Sequence, residues 1–194
     1  MDEGFLSLLS RMRNAYDRPA EVPATLNATL RDYQKEGYEW MARLTEWGAG
    51  ACLADDMGLG KTVQTIALLL HRADKGASLI VAPKSLILNW EKEMQKFAPS
   101  LNVININSEK DKKSAIQKAA AGDVVLTTYG VLVTQKDALT SKHWNTICLD
   151  EAHHLKREWW KVLTEFVRGM DVKLISLTAT PPMDTSDAEW KRYM

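Results

Sequence analysis

Between the apolar run Ala51–Ala54 and a helical stretch opening near Lys61 lies Asp55-Asp56-Met57-Gly58-Leu59-Gly60-Lys61-Thr62. This octapeptide restricts the chain more than any other segment, because it forces a strand to pass into a helix through a tight turn. Its glycines let backbone N–H groups turn inward and approach phosphate oxygens with no Cβ in the way. The helix N-terminus adds a partial positive charge at the same point. Lys61 is placed to reach terminal phosphates, and the Thr62 hydroxyl to hold Mg²⁺. The general pattern has Gly six positions before the lysine, where this chain has Asp55. The plainer alternative is a Gly-rich turn that only caps a helix.

The surrounding sequence supports a strand–helix alternation. Short apolar runs rich in Val and Ile occur at Ala51–Ala54, Leu79–Ala82, Val103–Ile106, Val124–Thr127, Ile147–Leu149 and Leu174–Leu177. They show little alternation, as strands buried on both faces should. Helical candidates lie between them at 61–72, 85–97, 109–121, 131–138 and 157–168. The expected fold is therefore α/β, with a mostly parallel central sheet and helices on both faces. Upstream, Thr29 is a candidate cap for a helix with Leu30, Tyr33, Gly37, Met41 and Leu44 on its apolar face. Residues 1–24 read as an appendage, helical and then broken by Pro19 and Pro23, and residues 25–194 as one domain.

A phosphate loop needs carboxylates to organise a metal and to activate water. Asp150-Glu151-Ala152-His153 directly follows the apolar run ending at Leu149. Ligands in open α/β sheets bind beyond the carboxyl ends of the strands, so this motif and the glycine loop should meet on one edge. Asp150 is then the Mg²⁺ carboxylate, acting through water, and Glu151 the base that orients and deprotonates the attacking water. A solvated acidic pair in a loop is the alternative.

Six ordered segments together resemble the Snf2 family, within the superfamily 2 helicase-like DNA translocase ATPases. They are Leu30-Arg31-Asp32-Tyr33-Gln34 with Gly37 and Trp40; the loop Asp55–Thr62; Val81-Ala82-Pro83-Lys84-Ser85-Leu86 with Asn89-Trp90; Thr127-Thr128-Tyr129-Gly130; Asp150-Glu151-Ala152-His153; and Leu177-Thr178-Ala179-Thr180-Pro181. The resemblance spans about residues 26–182 and implies an N-terminal RecA-like lobe of three layers. It implies that Gln34 reads the adenine edge with Arg31 nearby, and that Lys61, Thr62, Asp150 and Glu151 handle phosphate, Mg²⁺ and water. Pro83, Lys84, Thr128 and Tyr129 match segments that contact the phosphate backbone of one DNA strand, a mode that positions without reading sequence. Thr178 and Thr180 match the segment coupling nucleotide state to DNA, with His153 bridging to it. The chain departs from the usual family pattern at Ala179, at Pro182-Met183-Asp184, at Arg157 and at Glu189, while Trp190 is in place.

The implied partners are ATP, Mg²⁺, double-stranded DNA and a second RecA-like lobe of the same polypeptide. That second lobe supplies an arginine finger in this family. Twelve residues follow Pro182, so the expectation is a first lobe only, with slow turnover by itself. The leading function is ATP-driven translocation on duplex DNA that remodels protein–DNA complexes. Two alternatives remain: a strand-separating helicase of repair or phage defence, and a nucleotide-gated interaction domain without catalysis.

Composition adds exclusions. The 25 Lys and Arg balance the 25 Asp and Glu, which removes the simple argument for DNA from a basic surface. Cys52 and Cys148 share no metal-site spacing, and both read as buried free thiols. The acidic N-terminus argues against a secretory signal, and no apolar run approaches a membrane span, so an intracellular, membrane-free location is expected: cytoplasm or nucleoid in a bacterium, nucleus in a eukaryote. Trp40 and Trp90 read as core, Trp160 as buried and Trp159 as a partly exposed shoulder. His71 and His143 have no assigned role.

Overall fold

The computed structural model describes Ser10, Arg13 and residues 20–56, 58–152, 162–164 and 172–178. The strands are β1 (Ala51–Leu53), β2 (Ser78–Ala82), β3 (Asn102–Asn105), β4 (Asp123–Thr128), β5 (Thr146–Leu149) and β6 (Lys173–Leu177). They form one sheet in the order β1-β6-β5-β2-β4-β3, and every pairing is parallel. Helices α1 (Asp32–Trp47), α2 (Lys61–His71), α3 (Ile87–Phe97), α4 (Lys112–Lys118), α5 (Tyr129–Thr134) and α6 (Lys136–Thr140) pack around it. No described helix is long and apolar enough to cross a membrane.

Crossover handedness explains how the helices are shared between the two faces. The chain first steps toward the β3 edge, through α2 and then α3, and afterwards steps back toward β1 through α4, α5 and α6. With one hand of crossover, reversing direction moves the helices to the opposite face. Two hydrophobic clusters follow this division. One joins Tyr38 and Met41 of α1, Ile66 of α2 and Trp90 and Met94 of α3 to Ile80 and Ala82 of β2. The other joins Ile116, Leu132, Leu139 and Leu163 to Leu79 and Val81 of the same strand. Strand β2 is thus buried along its whole length, which is why its sequence shows no polar alternation. Each fully buried aliphatic side chain contributes roughly 2 kcal/mol.

Several expectations change. The helix expected to be capped by Thr29 starts at Asp32, with Arg31 at its N-cap. Gln34 Oε1 accepts from the Arg31 N–H at 3.0 Å and so supplies the missing bond at that end. Its inward face is Tyr38, Met41, Ala42 and Thr45, so Tyr33 and Trp40 turn outward and Trp40 is 40% exposed. The stretch 131–138 divides into α5 and α6, because the Thr128 hydroxyl caps α5 two residues earlier and Gln135 ends it. The helix expected at 85–97 opens with a 3₁₀ turn, Lys84–Leu86, and that at 109–121 shortens to α4 behind an Asp111 cap. Cys148 is buried, whereas Cys52 is exposed on the edge strand β1. Of the helix at 157–168, Val162, Leu163 and Thr164 are helical, and Arg157, Trp159 and Trp160 lie outside the described residues.

Residues 20–28 dock on this body. The Tyr38 hydroxyl donates to the Glu21 carbonyl at 2.7 Å. Asn27 donates its N–H to the Phe97 carbonyl and its side-chain amide to the Lys96 carbonyl, satisfying two orphan carbonyls at the end of α3. Packing therefore begins before residue 25, the start expected for the domain.

Candidate functional site

Because all six strands are parallel, the loops following them open on one edge of the sheet. The loop after β1 enters α2 through Gly58 and Gly60, at φ values of 84° and 83°. A Cβ on Gly60 would stand 2.3 Å from Gln34 Nε2, while a Cβ on Gly58 would meet open space. Lys61 Nζ donates to the carbonyls of Asp55 at 2.7 Å and Asp56 at 3.0 Å. The Asp55 bond uses a backbone carbonyl that glycine, the residue of the general pattern, would also offer. The Asp55 carboxylate accepts from Gln64 Nε2 at 3.3 Å. Gln64 is fully buried, and its Oε1 would lie 2.0 Å from a Cβ on Gly37. Helix α1 thus packs its Gly37 against Gln64 of α2 with no room for a side chain, and it is tied to the loop where Gln34 Nε2 donates to the Leu59 carbonyl at 3.1 Å.

Across the cleft stands the loop after β5. Asp150 is 9% exposed, and its N–H donates to the Val81 carbonyl of β2 at 2.9 Å. Trp90 Nε1 donates to Asp150 Oδ2 at 2.7 Å, and the Glu151 N–H donates to Oδ1 at 2.9 Å. The Tyr129 hydroxyl donates to the Asp150 carbonyl at 2.7 Å. Burial raises the Asp150 carboxyl above its ordinary range and the Glu151 charge adds to this, while the Trp90 N–H and Lys61 pull it down. Glu151 has φ 53°, the one positive value at a described non-glycine residue. That conformation costs roughly 1–2 kcal/mol for an L side chain.

Gly58, Gly60, Lys61, Thr62, Asp150 and Glu151 line one cavity of about 390 Å³, with Asn89 and Glu93 of α3 on its far wall. A second hollow beside the loop is lined by Tyr33, Glu36, Gly37, Trp40, Asp55 and Leu59, which accounts for the outward aromatics. The donor set suits Mg²⁺: a hydroxyl and carboxylates share a cavity with a lysine, and this ion takes oxygen ligands, with phosphates and water completing its shell. The described residues contain no cluster of three His, Cys, Asp or Glu that could hold a metal by itself.

Other candidate residues fall outside this cavity. Arg31 is exposed at the start of α1 and Lys84 is exposed after β2, beside the half-buried Pro83. The Thr128 hydroxyl accepts from the Val131 N–H at 3.3 Å. Tyr129 is buried at 3% exposure, so its ring is not on the surface where a DNA strand could meet it. Thr178 is buried, and its N–H donates to the Leu53 carbonyl at 3.2 Å. Met57, His153, Ala179, Thr180, Pro182, Met183, Asp184, Glu189 and Trp190 lie outside the described residues. Sequence reasoning missed Gln64 and the Trp90 and Tyr129 donors, and also Asn107, whose Oδ1 accepts from the Thr128 N–H at 3.2 Å. Only Gln64 carried a signal: a polar residue inside the apolar run of α2.

The SNF2-related domain model matches residues 33–190. A putative ATP-dependent helicase/translocase of Bacillus subtilis, YwqA, is 41% identical over 96% of this chain and 21% of its own length. Helicase SWR1 of Eremothecium gossypii is 37% identical over 87% of this chain and 12% of its own. The chain thus spans about a fifth or less of these two relatives. Among solved structures, the Sulfolobus solfataricus SWI2/SNF2 ATPase core in complex with dsDNA superposes with a TM-score of 0.73 at 37% identity, over 89% of this chain and 36% of that one. The same core domain solved separately gives a TM-score of 0.75 at 34% identity. The six-stranded parallel sheet is the RecA-like sheet of that core.

Proposed function

This chain belongs to the SNF2-related domain family, and from that premise we propose that it is the ATP-binding lobe of a DNA-dependent ATPase that translocates on duplex DNA and remodels protein–DNA complexes. The observation carrying the proposal is the single cavity shared by Lys61, Thr62, Asp150 and Glu151. The glycine loop offers backbone N–H groups to the phosphates, and Lys61 adds charge at the terminal ones. Thr62 and Asp150 would hold Mg²⁺, which neutralises charge developing on the phosphate oxygens. Glu151 orients the attacking water and takes its proton. Gln34 fixes the loop through Leu59 and keeps a second amide N–H for the adenine edge.

Lys61 is the one cation among the described residues that line the cavity. Phosphoryl transfer of this kind also draws on an arginine for transition-state charge, and we assign that arginine to a second RecA-like lobe. The lobe alone then binds ATP and turns it over slowly. Lys84 and Thr128, on neighbouring loops of the same edge, take phosphates of one DNA strand. This work is done where duplex DNA is kept, inside the cell.

The test is steady-state ATPase activity of the intact protein with duplex DNA, single-stranded DNA and no DNA. Stimulation by duplex without strand separation is expected, and stimulation by single strands alone would sink the translocase reading. Glu151→Gln should retain ATP and lose turnover by about a hundredfold or more.

A further inference from the structure

We infer that Tyr129 and Trp90 are positioning residues that transmit DNA contact to the hydrolytic carboxylates through Asp150; this rests on the function proposed above. Both side chains are buried, at 3% and 1% exposure, so neither stacks on a base. Each hydrogen bonds to Asp150 from a different DNA-facing segment. Tyr129 directly follows Thr128, and its hydroxyl donates to the Asp150 carbonyl at 2.7 Å. Trp90 lies one turn into α3, behind the 3₁₀ turn Lys84–Leu86, and its indole N–H donates to Asp150 Oδ2 at 2.7 Å. The peptide joining Asp150 to Glu151 is therefore held on both sides. Tyr129 grips its carbonyl, and its N–H is tied to Asp150 Oδ1 at 2.9 Å.

That peptide leads into the strained residue of the site, Glu151 at φ 53°. A backbone in this region persists only when its surroundings hold it there. A loop displacement at Thr128 or Lys84 moves a directional donor, and Asp150 and Glu151 must follow or lose the bond. The physical link between DNA and chemistry is thus two hydrogen bonds and one strained peptide, a contiguous path from the loops to the carboxylates. Asn107 sets the starting position by holding the Thr128 N–H.

Tyr129→Phe removes only the hydroxyl. In the intact protein, ATP turnover is measured against duplex concentration, after a melting curve confirms that the variant is folded at the assay temperature. The maximal stimulation over the DNA-free rate should fall at least fivefold, while the duplex concentration giving half-stimulation stays within twofold. Trp90→Phe, which removes the indole N–H, should show the same split. Unchanged maximal stimulation in Tyr129→Phe overturns the relay. So does a higher half-stimulation concentration with the maximum preserved, which would make Tyr129 a direct DNA contact. An equal fall in the stimulated and DNA-free rates also overturns it, as simple damage to the site. Unmodified protein that duplex DNA fails to stimulate would overturn both this inference and the function on which it rests.

Discussion

At the scale of single residues, the two loop glycines separate two effects that usually arrive together. Gly58 and Gly60 both have φ near 84°, so alanine at either costs roughly 1–2 kcal/mol of backbone strain. Only at Gly60 does the new Cβ also strike Gln34, 2.3 Å away. Gly60→Ala should therefore weaken nucleotide binding more than Gly58→Ala, by about tenfold if one hydrogen bond to the loop is lost; titration with a fluorescent ATP analogue reads the difference. That Lys61, Thr62, Asp150 and Glu151 meet at one cavity was legible because local patterns carry them and the parallel sheet brings both loops to one edge. The Trp90 bond to Asp150 was not, since it joins residues sixty positions apart and depends on how α3 lies against the sheet. Trp40 misled for a related reason: an aromatic at helical spacing looks the same whether it fills a core or lines a hollow.

At the scale of elements, the edge of the sheet opposite the site is fastened by Arg72. Its guanidinium donates to Asn145 Oδ1 at 3.1 and 2.7 Å and to the Thr146 hydroxyl at 3.0 Å, and Asn145 returns a bond to the Arg72 carbonyl at 2.7 Å. Glu46, near the end of α1, lies 3.8 Å from the same guanidinium. The ends of α1 and α2 and the start of β5 thus share one buried cation. Arg72→Met keeps the stem but strips partners from Asn145 and Thr146, so a loss of about 2–4 kcal/mol is expected in urea unfolding. The strands were legible in sequence to within a residue or two, because burial on both faces leaves unbroken apolar runs in β2 and β5, and Val and Ile mark the partly exposed β3 as well. Helix ends were less so: Arg31 in place of Thr29, and the break at Gln135, depend on caps and side-chain bonds formed only after the chain has turned.

At the scale of the whole molecule, zero net charge does not oppose the proposed DNA contacts, which draw on a few loops at one edge of the sheet. Global stability should fall in alkali through Tyr38, whose buried hydroxyl is pushed up to about 12, chiefly by burial and further by Glu39. An unfolded tyrosine loses its proton near pH 10. Between about pH 10 and 12 the unfolded chain therefore binds fewer protons than the native one, and stability declines as pH rises. Tyr38→Phe should flatten that part of the profile, as read from urea midpoints on either side of pH 10. The strand order has a further consequence, for synthesis on the ribosome. Among the described residues, strand β1, which leads into the glycine loop, pairs only with β6, the last described strand in sequence, and Thr178 just beyond β6 bonds to Leu53. A nascent chain that has released β1 through β5 has its main sheet partners in place, yet leaves the loop's strand unpaired. Within the described sheet, the strand leading into the glycine loop is therefore the last to be paired during translation, and a message truncated before residue 173 yields a chain that has Lys61, Thr62, Asp150 and Glu151 but lacks β6, the described partner of β1.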